Sequence, residues 1–247
     1  MKVATWNVNG IRARAAQLCE WVAQERPDVL CLQELKAEPS QIPEQCKLAD
    51  YHVFWHGLRA YSGVSLHIRR EFSEGVVFTH PDFDMESRIV TAQVGNVVFA
   101  SIYVPNGGKD FLAKIQFLRK LGAWARQLHG EGRELVLCGD LNVAHKDIDV
   151  HPKERKPGII GQRPDEREFF DELLGDRLID VCRARNPDNA EVFTWWAPWR
   201  SMRQRNIGWR IDYILASPSI ASRAEHCNVR TQIGTSDHAP VVMITAQ

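Results

Sequence analysis

The chain has 247 residues, of which 44% are apolar and 25% charged, the composition of an ordinary globular protein. Its formal net charge is zero, so overall charge does not indicate a nucleic-acid partner, and any anion site must come from local clustering. No apolar run approaches the roughly 20 residues of a membrane helix, and no secretory signal follows Met1, so we expect a cytosolic chain without membrane contact.

Six cysteines are spread through the chain without a C-x-x-C pair, which argues against a zinc or thiol-redox motif. Free cysteines in apolar strands behave as small hydrophobic residues. We therefore expect all six to be reduced: Cys19, Cys31, Cys46, Cys138, Cys182 and Cys227.

The first elements form a βαβ unit. Residues 2–8 are typical of a strand, apolar residues recur at helical spacing from Ile11 to about residue 26, and Pro27 ends that helix. Residues 29–33 form a second buried strand ending at Glu34. Since a helix connects them, the two strands are expected to be parallel neighbours.

The rest of the chain alternates strands with helices. Residues 36–50 indicate a loop and a short helix, and Gly95-Asn96 indicates a hairpin turn. Helices are predicted at 110–129 and 165–174, and strands at 51–56, 64–69, 75–79, 88–94, 97–104, 134–140, 192–196, 210–216, 227–233 and 239–245. We expect one domain over residues 1–247, with a sheet-on-sheet core and helices outside.

Polar side chains follow four of the predicted strands. The run from Glu134 to Gly139 ends in Asp140 and Asn142; Asn7, Glu34 and the pair Asp237-His238 stand at the tips of others. Ligand sites in open α/β sheets form where strands end, so these residues are expected to converge. Asp140 by itself is equally consistent with an Asx turn or a helix N-cap.

Two of these residue types suggest specific chemistry. A carboxylate such as Glu34 at the end of a buried strand needs a cation, and Mg²⁺ needs only one or two carboxylates; the alternative is a surface ion pair with Lys36. Asp212 could fix the tautomer of His238 and stabilise its imidazolium, although a lone histidine is more often structural. No nucleophilic serine motif accompanies them.

A basic and aromatic segment lies between residues 192 and 211, which contain no Asp or Glu. Arginines with aromatic faces beside them suit a phosphate backbone and a distorted nucleic-acid strand; the alternative is a solvated loop anchored by its tryptophans. The segment contains Trp195, Trp196, Trp199, Arg200, Arg203, Arg205, Asn206, Trp209 and Arg210.

These motifs resemble the exonuclease III family of AP endonucleases, within the endonuclease/exonuclease/phosphatase superfamily. The resemblance runs nearly end to end and rests on Thr5-Trp6-Asn7-Val8-Asn9-Gly10, Leu32-Gln33-Glu34-Leu35-Lys36, Tyr61-Ser62-Gly63-Val64, Tyr103-Val104-Pro105-Asn106, Gly139-Asp140-Leu141-Asn142, Asn206-Ile207-Gly208-Trp209-Arg210-Ile211-Asp212-Tyr213 and Ser236-Asp237-His238. It implies an α/β fold, a four-layered sandwich of two mixed sheets packed face to face with helices outside.

The resemblance also implies a function. It implies Mg²⁺-dependent hydrolysis (Mn²⁺ being a substitute) of the DNA phosphodiester 5′ to an abasic site, leaving a 3′-hydroxyl and a 5′-deoxyribose phosphate, with some 3′ exonuclease or phosphodiesterase activity. The expected substrate is double-stranded DNA with abasic sites or blocked 3′ ends. We expect a monomer acting in a bacterial or archaeal cytosol or nucleoid.

Site roles follow from the same resemblance. It implies metal ligation by Glu34, with Asn7 and Asp237 nearby, and catalysis by Tyr103, Asp140, Asn142, Asp212 and His238. It implies DNA contacts from Lys109, Lys153, Arg155, Lys156, Trp195, Trp199, Arg203, Asn206, Trp209 and Arg210.

The chain departs from the family pattern in two places. Asn9 stands where some members carry an acidic residue that aids metal binding, which leaves a second metal open. The loop from 151 to 161 lacks asparagines that touch DNA phosphate in some relatives, so this contact is expected to fall to the basic residues of that loop.

Two other functions fit parts of the sequence. One is a phosphoesterase of the same superfamily that acts on RNA or a small phosphate ester. The other is an inactive nucleic-acid-binding module, which the presence of Glu34, Asp140 and His238 together argues against.

Overall fold

A computed structural model describes residues 1–58, 60–175 and 177–246 of the chain. The described residues form twelve strands: β1 Lys2–Asn7, β2 Val29–Gln33, β3 Tyr51–Leu58, β4 Tyr61–Arg69, β5 Val77–Thr79, β6 Ile89–Val94, β7 Val97–Tyr103, β8 Glu134–Asp140, β9 Ile179–Asp180, β10 Asp212–Ala216, β11 Ala224–Val229 and β12 Val241–Thr245. They also form five α-helices: α1 Ile11–Glu25, α2 Phe111–Gly130, α3 Pro164–Gly175, α4 Val181–Arg185 and α5 Pro218–Ala221.

The strands form two six-stranded mixed sheets. The first has the order β11-β12-β1-β2-β4-β3 and the second the order β5-β6-β7-β8-β10-β9. β1 and β2 are parallel neighbours, and Val94 pairs with Val97 across the Gly95-Asn96 turn, so the predicted βαβ unit and hairpin are confirmed.

Alternating strand residues separate three apolar layers. Val3 packs between the two sheets with residues such as Val136, whereas the next residue, Ala4, faces α1. Leu135 and Leu137 face the outer helices α2 and α3. The result is the predicted four-layered α/β sandwich, because each sheet buries one face on the other sheet and one under helices.

Two expectations from the sequence are wrong. Residues 192–196 are not a strand; Trp195 makes only isolated bridges, to Trp209 and to His238. Cys182 and Cys227 are not both reduced but are joined by a disulfide, because α4 packs against β11 and brings the two Cα atoms to 4.8 Å.

Among the residues that the structure describes, no helix is both long and apolar enough to cross a membrane.

Candidate active site

The predicted polar tips do converge, and they come from both sheets. Asn7 ends β1 and Glu34 follows β2 in the first sheet, while Tyr103 ends β7 and Asp140 ends β8 in the second. β1 is parallel to β2 and β7 to β8, so the carboxyl ends within each pair lie side by side. One end of the sandwich therefore carries a site divided between the two sheets.

Three of these groups form a compact donor cluster. The ligand atoms of Glu34, Asp140 and His238 all lie within 4.8 Å of one another. The amide of Asn7 ties the two carboxylates together, since its Nδ2 donates to Glu34 Oε1 at 3.0 Å and to Asp140 Oδ2 at 2.9 Å. Lys36 Nζ also lies 2.7 Å from Glu34 Oε2, so the ion pair considered from the sequence exists inside the site.

The Glu34 carboxylate is buried and still ionised. Burial by itself raises its pKa, but the His238 imidazolium and the hydrogen bonds from Asn7 and Lys36 outweigh burial and lower the pKa below its usual value. Hard carboxylate oxygens are the ligands that Mg²⁺ prefers, so Glu34 fits a divalent cation.

His238 is held as an imidazolium by Asp212. Its Nδ1 lies 2.9 Å from Asp212 Oδ2, and its Nε2 lies 3.9 Å from Asp140 Oδ2. Burial favours the neutral ring, but the charge and hydrogen bond of Asp212 prevail and raise the pKa of His238 to about 10. The strand register places Asp212 beside Asp140, because Asp212 at the start of β10 pairs with Asp140 at the end of β8.

The carboxyl group of Asp140 has a pKa close to neutrality. Burial, reinforced by the negative charges of Asp212 and Glu34, raises the pKa of Asp140 to about 7. Gly139 before it is forced by packing, since a Cβ there would lie 1.9 Å from the carbonyl oxygen of Ile102.

Asn142 turns back towards Asp140. Its backbone adopts a left-handed conformation with φ of 53°. Its N–H donates to Asp140 Oδ1 at 2.8 Å, and its Nδ2 donates to the carbonyl of Val104 at 2.9 Å. This turn, rather than a continuing strand, brings the two predicted residues to one rim.

Tyr103 is a neutral hydroxyl beside the carboxylates. Burial and the charges of Glu34 and Asp140 raise its pKa far above the usual value, so the hydroxyl stays protonated. The guanidinium of Arg88 lies 4.8 Å from the centroid of the Tyr103 ring and donates to the Tyr103 carbonyl at 3.4 Å.

Asn7 and Asp237 lie near the donor cluster, as expected, and both are hydrogen-bonded within the protein. The side chain of Asn7 offers its amide nitrogen to the carboxylates, and its Oδ1 accepts the Asn9 N–H. Asp237 accepts from Asn9 Nδ2 at 2.7 Å and from the Trp195 indole at 3.0 Å. Both residues therefore brace the site, and Glu34 with Asp140 supplies the carboxylate pair.

A cavity of about 420 Å³ opens over these groups. Trp195 and Trp209 form an aromatic corner, with ring centroids 5.6 Å apart and an angle of 77°. Ile160, Gly161 and Ile211 complete the apolar wall. A Cβ at Gly161 would lie 2.8 Å from the Trp209 ring, so glycine is required for this close approach.

Two charged residues that were not predicted from the sequence lie behind this wall. Lys114 and Glu166 form a fully buried ion pair with a separation of 2.5 Å, and Lys114 Nζ also donates to the Asn142 carbonyl at 2.7 Å. Glu166 Oε2 accepts the Gly161 N–H at 2.7 Å. One sequence feature indicated this pair. Lys114, three residues before Phe117, lies on the apolar face of the helix predicted at 110–129, where a charged residue needs a buried partner.

Some of the predicted DNA-binding residues are exposed to solvent, whereas others are bonded to neighbouring groups of the protein. Trp199 is 59% exposed and lines a second cavity of about 510 Å³ next to the first. Lys109, Lys153, Arg155 and Lys156 are exposed around the site. Lys109 Nζ lies over the ring of Tyr61 at 5.0 Å, and Arg155 donates to two carbonyls of its own loop.

One of the predicted DNA contacts, Arg210, is corrected by the structure, and two others, Arg203 and Asn206, are half-buried and hydrogen-bonded within the protein. Arg210 is 1% exposed and is held between Asp149 at 2.8 Å and Asp180 at 2.7 Å, so it cannot touch DNA. Arg203 donates to carbonyls of Thr231, Ile233 and Ser236. Asn206 binds the Trp196 indole and Glu191. The hydrogen bonds of Arg203 and Asn206 therefore hold the loop together.

The fold and a carboxylate–histidine site at the sheet ends define a class of phosphoester hydrolases. A family model described as "Endonuclease/Exonuclease/phosphatase family" matches residues 4–238, and the chain belongs to that family.

Curated relatives and solved structures agree with this family. The chain is 33% identical to the exodeoxyribonuclease of Bacillus subtilis, with 99% of each chain covered. It superposes with a TM-score of 0.91 and 32% identity on the 3′ phosphatase NExo from Neisseria bound to product DNA hairpin, with all of both chains covered. An AP endonuclease from Archaeoglobus fulgidus gives a TM-score of 0.88 and 30% identity, again over all of both chains. The predicted resemblance to exonuclease III-type enzymes is confirmed.

Proposed function

We propose that this chain cleaves the DNA phosphodiester 5′ to abasic sites and also processes blocked 3′ ends, with Mg²⁺ as its working ion. One observation carries the proposal: a buried carboxylate pair, a charged His–Asp pair and a neutral tyrosine hydroxyl face one cavity with an aromatic wall. The relatives named as an exodeoxyribonuclease, a 3′ phosphatase and an AP endonuclease support the substrate class.

The residues take separate roles in this proposal. Asp140, with its pKa near 7, orients the attacking water and accepts its proton. His238 donates a charged hydrogen bond to the phosphate oxygens as their negative charge grows, and Asp212 keeps it protonated. Tyr103 and Asn142 contribute neutral hydrogen-bonding groups at the same rim.

A divalent ion would be held by the Glu34 carboxylate, which leaves Asp140 beside it to accept the proton of the water. When bound it supplies a Lewis acid that neutralises charge on the reacting phosphodiester. Asn7 fixes the spacing of both carboxylates, so its amide holds Asp140 beside the metal-binding Glu34.

The aromatic corner of Trp195 and Trp209 is the proposed receptor for an extruded abasic sugar. Such a sugar leaves the duplex at low cost because no base must be unpaired. The exposed Trp199 and the basic residues around the cavity are proposed to hold the flanking duplex. We also propose that residues 1–247 form a single domain and that the protein acts as a monomer in the cytosol or nucleoid, where DNA is found.

The test uses one duplex with a single internal abasic-site analogue and an intact control, each incubated with Mg²⁺ or with EDTA. Incision only at the analogue, and only with Mg²⁺, is expected. Progressive shortening of both duplexes from their 3′ ends would make 3′ processing the main activity, and no cleavage of either would redirect the proposal to RNA or small phosphate esters.

A pair of variants tests the metal assignment. Glu34→Ala is expected to abolish metal-dependent cleavage, whereas Glu172→Ala, on the exposed surface of α3, serves as the matched control. Undiminished cleavage by Glu34→Ala would refute the assignment of Glu34 as ligand.

A further inference from the structure

A second group of potential metal ligands lies at an edge of the sandwich and shares no residue with the active site. His56 lies on β3, His80 follows β5, and Asp84 lies in the loop that leads to β6. β3 is an edge strand of the first sheet and β5 an edge strand of the second. The ligand atoms of these three residues all lie within 4.8 Å of one another.

Packing between the two edge strands brings these side chains together. Phe54 on β3 stacks on Phe78 of β5, with ring centroids 5.8 Å apart. Two residues after each phenylalanine, the rings of His56 on β3 and of His80, just beyond β5, stack at 4.9 Å and within 9° of parallel. Side chains two residues apart in extended backbone share a face, so the two imidazoles stack directly beside the two phenylalanine rings.

Asp84 is a fixed carboxylate aimed at the imidazoles. Its Oδ1 accepts the backbone N–H groups of Arg88 at 2.8 Å and Ile89 at 3.0 Å. Its Oδ2 is thereby directed at His56 Nε2, 2.6 Å away. Burial raises the Asp84 pKa, but the hydrogen bond from His56 and those from the backbone outweigh burial and lower it, so the oxygen stays anionic.

The ligand types decide which ion would bind. Imidazole nitrogens with one carboxylate suit Zn²⁺ and its neighbours Co²⁺ and Ni²⁺, whereas Mg²⁺ prefers oxygen ligands alone. Metal–ligand bonds near 2.0–2.1 Å require the ligand atoms to lie within roughly 4 Å of one another. Because ring nitrogens bind a metal in the plane of the ring, His80 would have to turn out of its stack on His56. Its exposed position allows that rotation, while β3 and the Asp84 anchors hold the other two groups.

We propose that His56, His80 and Asp84 bind a zinc-type divalent ion that joins the edges of the two sheets. Three protein ligands leave the remaining positions to water. Zinc-type ions bind imidazole only through an unprotonated ring nitrogen, so the affinity is expected to fall as the pH is lowered. This inference does not depend on the proposed nuclease function.

The test is calorimetric titration of the whole protein with Zn²⁺ in the presence of excess Mg²⁺, which competes for sites made of oxygen ligands alone. One Zn²⁺ site is expected, with its Kd raised at least tenfold in His80→Ala. His226→Ala removes an exposed histidine of β11 and is expected to bind Zn²⁺ as the unmodified protein does. The exposed position of His80 makes its replacement compatible with folding.

A spectroscopic measurement identifies the ligands directly. Co²⁺ bound at this site is expected to give visible absorption that disappears in His80→Ala and persists in Glu34→Ala. Loss of the band in Glu34→Ala alone, unchanged Zn²⁺ affinity in His80→Ala, or absence of Zn²⁺ binding in the presence of Mg²⁺ would each overturn the proposal.

Discussion

The His238–Asp212 pair yields the sharpest prediction, through the substitution Asp212→Asn. The pKa of His238 is about 10 rather than the ordinary 6.5. Since each pKa unit corresponds to about 1.4 kcal/mol, the folded protein favours the imidazolium by about 5 kcal/mol more than water does. Asp212 is the largest source of that preference, so its loss lowers the pKa of His238 towards the working pH.

Turnover is expected to fall much more than DNA binding. Loss of one preorganised donor to a developing charge slows catalysis about 100- to 1,000-fold. The direction of the pH dependence follows from the protonation of His238, because the imidazolium is present below the pKa and is lost above it. Raising the pH through 7–9 should therefore slow the Asp212→Asn variant further, while the unmodified protein keeps its imidazolium over this range.

The assay is single-turnover cleavage of the abasic duplex with Mg²⁺ from pH 6 to 9, with binding measured separately by fluorescence anisotropy in EDTA. Asp171→Asn is the matched control, because it alters an exposed carboxylate paired to another histidine, His145, at 2.7 Å. Equal losses in binding and turnover, or an unchanged pH profile, would refute the role given to the pair.

Three other residues give independent predictions. Burial lowers the pKa of His67 to about 3, so between pH 6.5 and 3 the unfolded chain binds the extra proton; stability should fall on acidification by about 1.4 kcal/mol per pH unit through this group. Chemical denaturation of His67→Phe at pH 7 and pH 4 should show a smaller loss, and identical losses would contradict the assignment. Arg88→Met should slow cleavage through Tyr103, so its effect should vanish in the Tyr103→Phe background, and additive effects in a double-mutant cycle would exclude the coupling. Arg210→Met should lower the free energy of unfolding by about 3–5 kcal/mol, because it leaves buried carboxylates unpaired; a weaker DNA Kd with unchanged stability would restore its predicted role as a DNA contact.

The site could be predicted from sequence because its chemistry sits at strand ends. Asn7, Glu34 and Asp140 each follow a short apolar run, and parallel pairing brings such ends together. The meeting of Glu34 with Asp140 across two sheets depends on sheet-on-sheet packing, which no local pattern encodes.

The errors also have physical reasons. Arg210 lies in a charge cluster typical of a DNA-binding loop, but its partners Asp149 and Asp180 are distant in sequence. Residues 192–196 have the β-branched and aromatic composition of a strand, yet two separate loops supply their partners. The Cys182–Cys227 pair spans 45 residues, and spacing alone does not specify such a pairing.

The division of the reactive groups between the two sheets bears on how this protein becomes active during folding. Glu34 belongs to one sheet and Asp140 with Tyr103 to the other. A chain in which only one sheet has formed brings together only the groups of that sheet, and the spacing between Glu34 and Asp140 is missing. Partly folded molecules therefore lack the means to nick DNA, and the fold itself restricts hydrolysis to the fully assembled protein.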